Sequence, residues 1–131
     1  MNREALAWAA GFYDGEGSTY LQMRAKENGK LPRPVMSIIH NTKEQLDRFV
    51  NAVGDGKVYG PYKRKGKNHS PYHQLLICGR NRVAVVLERL WPYLCSHKRD
   101  QADLVFTRLE LIRRERDLNE DLIFGHRDGT E

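Results

Sequence analysis

Soft metal ligands, disulfide partners and long apolar runs are nearly absent from this chain. Of its 131 residues only two are cysteine, Cys78 and Cys95. Each has mainly apolar neighbours and no second cysteine close by, which argues against a thiolate zinc site and predicts reduced core thiols in an intracellular protein. His69 and His73 stand four apart, but Pro71 lies between them and denies them a shared helical face, so a histidine metal site lacks its usual spacing too. No stretch resembles a signal peptide or a membrane span, and the first helical pattern begins almost at Met1. Acid is missing from one segment in particular: Lys57 to Lys67 holds five Lys or Arg and no Asp or Glu.

What is present is an excess of positive charge, 22 basic against 17 acidic residues, net +5 with a pI near 9.4. That balance favours a polyanionic partner. The length suits one domain with a real core. A basic cluster usually forms a solvated face, but one lying between two strand-like stretches suits a hairpin that meets DNA.

Residues 8–18 read Trp-Ala-Ala-Gly-Phe-Tyr-Asp-Gly-Glu-Gly-Ser. As far as Tyr13 this is a helix that is apolar nearly all round, from Ala5 and Leu6 through Trp8 and Phe12, and such a helix needs burial on every side. A second copy of the same helix would supply the cover. Within one turn follow two carboxylates, Asp14 and Glu16, set among Gly11, Gly15 and Gly17. Acids at the end of a buried helix are costly unless a cation or donor meets them. A calcium loop starting at Asp14 would need Gly at its sixth place and Glu at its twelfth; those places hold Thr19 and Ala25.

The rest of the chain falls into elements by period and caps. Ser18 to Lys26 alternates, with Tyr20, Gln22, Arg24 and Lys26 on a polar face and Thr19, Leu21, Met23 and Ala25 opposite, as in a half-buried strand. Glu27-Asn28-Gly29-Lys30 reads as a hairpin turn, and Pro34 to Ile39 as the returning strand. Thr42 with Gln45 makes a capping box for a helix with Leu46, Phe49, Val50 and Val53 inward, ended by Gly54. Lys57 to Tyr62 and Tyr72 to Cys78 form a second hairpin. Asn81 caps a helix with the stripe Val83, Val86, Leu87 and Leu90, stopped by Pro92. A last helix, about Lys98 to Arg116, turns Leu104, Val105, Leu109 and Ile112 inward. The fold class is α+β, in the order α-β-β-α-β-β-α-α.

The segment at 8–18 resembles the LAGLIDADG motif of homing endonucleases in its variant ending Gly-Glu-Gly-Ser. Ala9 stands for the leading leucine, Ala10, Gly11 and Phe12 follow the pattern, Tyr13 replaces an aliphatic residue, and Asp14-Gly15-Glu16-Gly17 completes it. The element order is that of a single such domain. The resemblance therefore implies an αββαββα core over residues 1–117, an antiparallel sheet as a DNA-binding saddle, and a polar tail at 118–131.

It also implies a chemistry. Glu16 corresponds to the metal-binding acid and the Gly15 carbonyl to a further ligand, for Mg²⁺ with Mn²⁺ substituting and Ca²⁺ binding without supporting cleavage. Lys98, three residues before Gln101, corresponds to the family's active-site lysine. His40 takes the place of its water-organising residue, with an unperturbed pKa suited to proton transfer. The family's second basic residue has no clear counterpart, since Lys43 is followed by Glu44.

One motif per chain implies a homodimer joined through Leu6, Trp8, Ala9, Ala10, Gly11, Phe12 and Tyr13, cutting a long, roughly palindromic target to leave short 3′ overhangs. Base reading in the major groove falls to Tyr20, Gln22, Arg24 and Lys26, then to Ser18, Arg33, Ser37, Tyr59, Lys63, Tyr72 and Gln74. Arg64, Lys65 and Lys67 fall to phosphates. The expected partners are double-stranded DNA and a second copy of the chain, with no membrane and no organic cofactor, inside the cell with the host's DNA. A catalytically silent DNA-binding regulator or an intron RNA maturase of the same fold is the alternative. A small basic RNA-binding domain of other ancestry would leave the acidic helix end unexplained.

Overall fold

The computed structural model describes residues 1–24, 29–63, 65–66 and 70–124, without the side chains of 123 and 124. Helix α1 spans Arg3–Glu16, opened by the Asn2 side chain, which accepts a hydrogen bond from the Ala5 amide at 3.1 Å. Strands β1 (Gly17–Gln22) and β2 (Arg33–His40) follow, then α2 (Lys43–Val53), β3 (Lys57–Tyr62), β4 (Tyr72–Cys78) and α3 (Arg80–Leu90). A 3₁₀ turn at Trp91–Tyr93 leads into α4 (Ser96–Phe124). The strands form one antiparallel sheet in the order β1-β2-β4-β3, so each predicted hairpin is present and β2 pairs with β4 to join them.

Alternation along the strands separates two faces. Thr19, Met36, Ile38, Leu75 and Ile77 turn towards the helices, where most of them pack with Leu46, Phe49, Val53, Val83, Val86 and Leu90 into the buried core. Full burial of each such side chain contributes about 1.5–3 kcal/mol. The pairs Ser18–Ser37, Tyr20–Val35 and Gln22–Arg33 put the opposite set on the other face, continued by Tyr59, Gln74 and Tyr72. The apolar stripes expected of α2 and α3 are the ones the core uses.

Several local expectations are corrected. Thr42 does cap α2, but through its carbonyl, which accepts from the Gln45 amide at 3.2 Å; its side chain makes no cap bond. Helix α3 starts at Arg80 behind Gly79, one residue before the expected Asn81 cap. Leu104 is 70% exposed. Ala102, Val105 and Leu109 occupy the inward line of α4, and at 100° per residue Leu104 falls to one side of it. Cys95 is exposed and Cys78 half-buried, both free thiols, because Leu94 takes the core position beside the start of α4. Helix α4 continues to Phe124, past the expected end at Arg116. Among the described residues, no helix is long and apolar enough to cross a membrane.

Candidate active site and nucleic-acid interface

The chain passes from α1 straight into β1, and Gly17 makes this passage possible. A Cβ built there would lie 2.2 Å from the Tyr13 ring, so any side chain would displace that ring from the core. The Gly17 amide donates to the Tyr13 carbonyl, closing the last turn. Tyr13 is fully buried, and its hydroxyl shares a 2.6 Å hydrogen bond with Thr19 Oγ1. Burial, only partly offset by that bond, pushes the phenol pKa far above its ordinary value. Tyr13 is therefore a structural group and not a proton carrier near neutrality.

Glu16 ends α1 exposed, and among the described residues it makes no hydrogen bond or ion pair. Asp14, two residues earlier, is differently employed. Its carboxylate accepts from the Cys95 amide at 3.1 and 3.3 Å, tying the end of α1 to the turn before α4. That turn delivers Lys98, whose Nζ donates to the Gly17 carbonyl and lies 5.9 Å from the Tyr13 ring centroid. One turn further along α4, Gln101 Oε1 accepts from the Thr19 amide at 3.0 Å. Lys98 and Gln101, singled out together in the sequence, thus both anchor to the first residues of β1, and Lys98 comes within one residue of Glu16.

His40 ends β2. Its ring stands 5.4 Å from that of Phe12, which lies one helical turn before Glu16, and its Nδ1 accepts from the Thr42 amide at 3.0 Å. That bond leaves Nε2 to carry the ring proton in the neutral form. Opposite His40 across the strands sits His73, which sequence reading did not assign to the site. Its Nδ1 is buried without a partner among the described residues. The period-two pattern of β4 was the signal available, since Tyr72 and Gln74 on one face oblige His73 to the other.

On the metal question the donor set is oxygen-rich: the free Glu16 carboxylate and the carbonyls at the end of α1, where helices leave acceptors unsatisfied. Hard divalent cations fit such donors. Among the described residues no three His, Cys, Asp or Glu side chains cluster.

The expected interface residues of α1 divide. Leu6, Ala9, Ala10 and Tyr13 are buried in the chain's own core, which corrects their assignment to contact with a partner. Their spacing puts them on one stripe facing inward. Gly11 is exposed and Trp8 and Phe12 are half-buried. Trp8 is stacked on Phe12 at 5.1 Å and capped by the Arg48 guanidinium at 3.8 Å. Ala7, Gly11 and Gly15, four apart, form the exposed line of small residues.

On the open face of the sheet, Tyr20 is 39% exposed, Gln22 and Arg24 are exposed, and Ser18 and Arg33 are half-buried. Arg24 lies beyond the end of β1 at Gln22, short of the strand end expected at Lys26. Ser37 departs from expectation. It is only 8% exposed and accepts a 3.1 Å bond from Gln74 Nε2, so it orients Gln74 from beneath. Tyr59, Lys63 and Lys65 are exposed and Tyr72 half-buried. Lys26, Arg64 and Lys67 lie outside the described residues.

Two residues of this face were missed. Ile39 is exposed beside Gln74. Tyr62 pairs with Tyr72, ring centroids 5.4 Å apart, only because the β3 register shifts between Tyr59 and Tyr62. Simple alternation would have turned Tyr62 away. Gly60 has φ 117°, and a Cβ there would meet the Tyr72 carbonyl at 2.9 Å. Glycine and proline inside a strand are the sequence sign of such a bulge.

No family model matches the sequence, and neither does any curated protein. Solved structures do. The homing endonuclease I-CvuI, in complex with its target in the presence of calcium, superposes with a TM-score of 0.67 at 26% identity, over 88% of this chain and 74% of that one. The same endonuclease with magnesium and uncleaved DNA gives 0.65 over 83% and 69%. The chain is similar to homing endonucleases of the LAGLIDADG family. The family's meganuclease I-AabMI, bound to uncleaved DNA, matches with a TM-score of 0.61 at 25% identity, over 89% of this chain but only 40% of its own length.

Proposed function

We propose that the protein is a site-specific DNA endonuclease that hydrolyses phosphodiesters as a homodimer, with a divalent metal held by Glu16 of each subunit. The observation that carries this reading is the exposed Glu16 carboxylate, without a partner among the described residues and one residue from the carbonyl that holds Lys98. Structural relatives crystallised on DNA support the substrate, and the length of I-AabMI leaves room for two domains of this size.

Glu16 and the Gly15 carbonyl would hold Mg²⁺, with Mn²⁺ able to replace it and Ca²⁺ supporting binding without cleavage. When bound, the cation supplies an acidified water and neutralises charge on phosphorus. Lys98 places a fixed positive charge beside the reacting phosphate, where charge builds as the phosphorus becomes five-coordinate. His40, held by the Thr42 amide on Nδ1, would present its Nε2–H as a donor that positions the attacking water. The second carboxylate comes from the twin chain, which makes the target nearly palindromic and the cuts two, leaving short 3′ overhangs. Tyr20, Gln22 and Gln74 read bases, and the basic β3–β4 loop grips phosphate. The enzyme works inside the cell, with the DNA of its host.

Cleavage of a randomised duplex library tests this. Mg²⁺ should yield cut products that share one roughly palindromic sequence, and EDTA should yield none. Specific binding without cutting under any divalent metal would instead identify a silent regulator.

A further inference from the structure

At the far end of the sheet from Glu16, four arginines, three of them on different elements, line one cleft of about 320 Å³. Arg24 follows β1, Arg33 opens β2, Arg80 begins α3 and Arg113 lies on α4, and Leu109 and Pro34 complete the wall. No carboxylate lines it among the described residues. Several arginines elsewhere are matched: Arg82 with Asp55 at 2.6 Å, Arg114 with Glu110 at 3.3 Å, and Arg89 with the Val53 carbonyl at 2.7 Å. In the cleft Arg33 has a hydrogen bond, its Nε donating to Gln22 Oε1. Arg24, Arg80 and Arg113 make no hydrogen bond or ion pair among the described residues.

A guanidinium stays charged at any pH the protein meets. Four of them without an acid repel one another, and the arrangement becomes favourable when an anion enters. The forked donors suit phosphate oxygens two at a time. The cleft's position says which phosphate. Arg33 stands on the open face of the sheet, in register with Gln22, so the cleft continues the base-reading surface around the end of the strands. From Gly17 to Arg24 the chain advances seven residues, or about 23 Å if extended, and from Gly17 to Gln22 about 17 Å. At 3.4 Å per base pair this is about five to seven nucleotides along DNA from Glu16.

We infer that this arginine cleft binds a backbone phosphate of the target DNA about five to seven nucleotides outward from the cut, with Arg80 and Arg113 as contacts made from behind the sheet. The inference rests on the endonuclease reading above. It assigns to two helix residues a share of affinity that carries no base information, and extends the footprint beyond the strands.

The test is a walk of single neutral methylphosphonates along each strand of the cognate duplex, with wild-type protein. Affinity should fall about tenfold at one or two positions five to seven nucleotides from the cut. The Arg80→Ala/Arg113→Ala double variant should bind every duplex sequence about equally more weakly, show a salt slope lower by about one to two, and lose its sensitivity to those methylphosphonates. A wild-type walk with no such positions overturns the inference without needing any variant. So does a double variant that keeps the wild-type salt slope and walk while melting normally. If inorganic phosphate raises the melting temperature of the wild type but not of the double variant, and the DNA walk is flat, the site is for a small anion and the inference fails. A wild type that neither binds nor cuts DNA defeats the endonuclease reading itself, a separate outcome.

Discussion

On its inner side α1 carries Leu6, Ala9, Ala10 and Tyr13, sealed from solvent; on its outer side the same helix carries Ala7, Gly11, Gly15 and Glu16, all exposed. The inner residues do what packing asks, filling space against α2, α3 and the sheet. The outer ones do the reverse. A Cβ at Gly11 or Gly15 would meet nothing within 4 Å, and each helical glycine costs about 0.5–1 kcal/mol relative to alanine. Glu16 sets a negative charge at the negative end of the helix dipole, with no basic residue in the last turn to offset it. One face of a single helix serves packing, and on the other Gly11, Gly15 and Glu16 each cost the helix stability. On the function proposed above, that set is kept for the twin chain that docks there.

Substitutions can break the two faces apart. Tyr13→Ala empties the largest buried side chain and should cost about 3–5 kcal/mol in chemical denaturation. Glu16→Gln should lower cleavage at least about 100-fold in a Mg²⁺ assay while leaving specific binding intact and the melting temperature equal or slightly raised. Cleavage at the wild-type rate would remove Glu16 from the chemistry. Gly17→Ala tests the junction between the faces, since its methyl must move the Tyr13 ring. A loss of about 1–3 kcal/mol is expected, with cleavage falling alongside as the Lys98 anchor shifts.

The smallest effect lies away from α1, at the Arg82–Asp55 pair. Its hydrogen bond holds the Asp55 carboxyl below its ordinary pKa, so its stabilisation is present above the unfolded value and is lost as pH falls through the folded one. Asp55→Asn should cost about 0.2–1 kcal/mol at neutral pH and almost nothing in acid, read from melts at the two pH values.

Element order, both hairpins, the stripes of α2 and α3 and the pairing of Lys98 with Gln101 were legible because each rests on local periodicity or a short motif. The errors share a cause too. Ala10 is small enough to serve a core or an interface, and only the orientation of α1 over the sheet decides between them. Tyr62 changed faces through a bulge that strict alternation ignores. Arg80 and Arg113 are ordinary helix residues in sequence and become a site only when the end of the sheet brings them to Arg24 and Arg33.

Sedimentation velocity of the wild-type protein, free and on its cognate duplex, bears most directly on the claim that the outer face of α1 is half of an interface. The account predicts a dimer, and a Gly11→Leu variant that melts like the wild type but sediments as a monomer and no longer cuts. A wild type that remains a monomer both free and on DNA, yet cuts both strands, would contradict it.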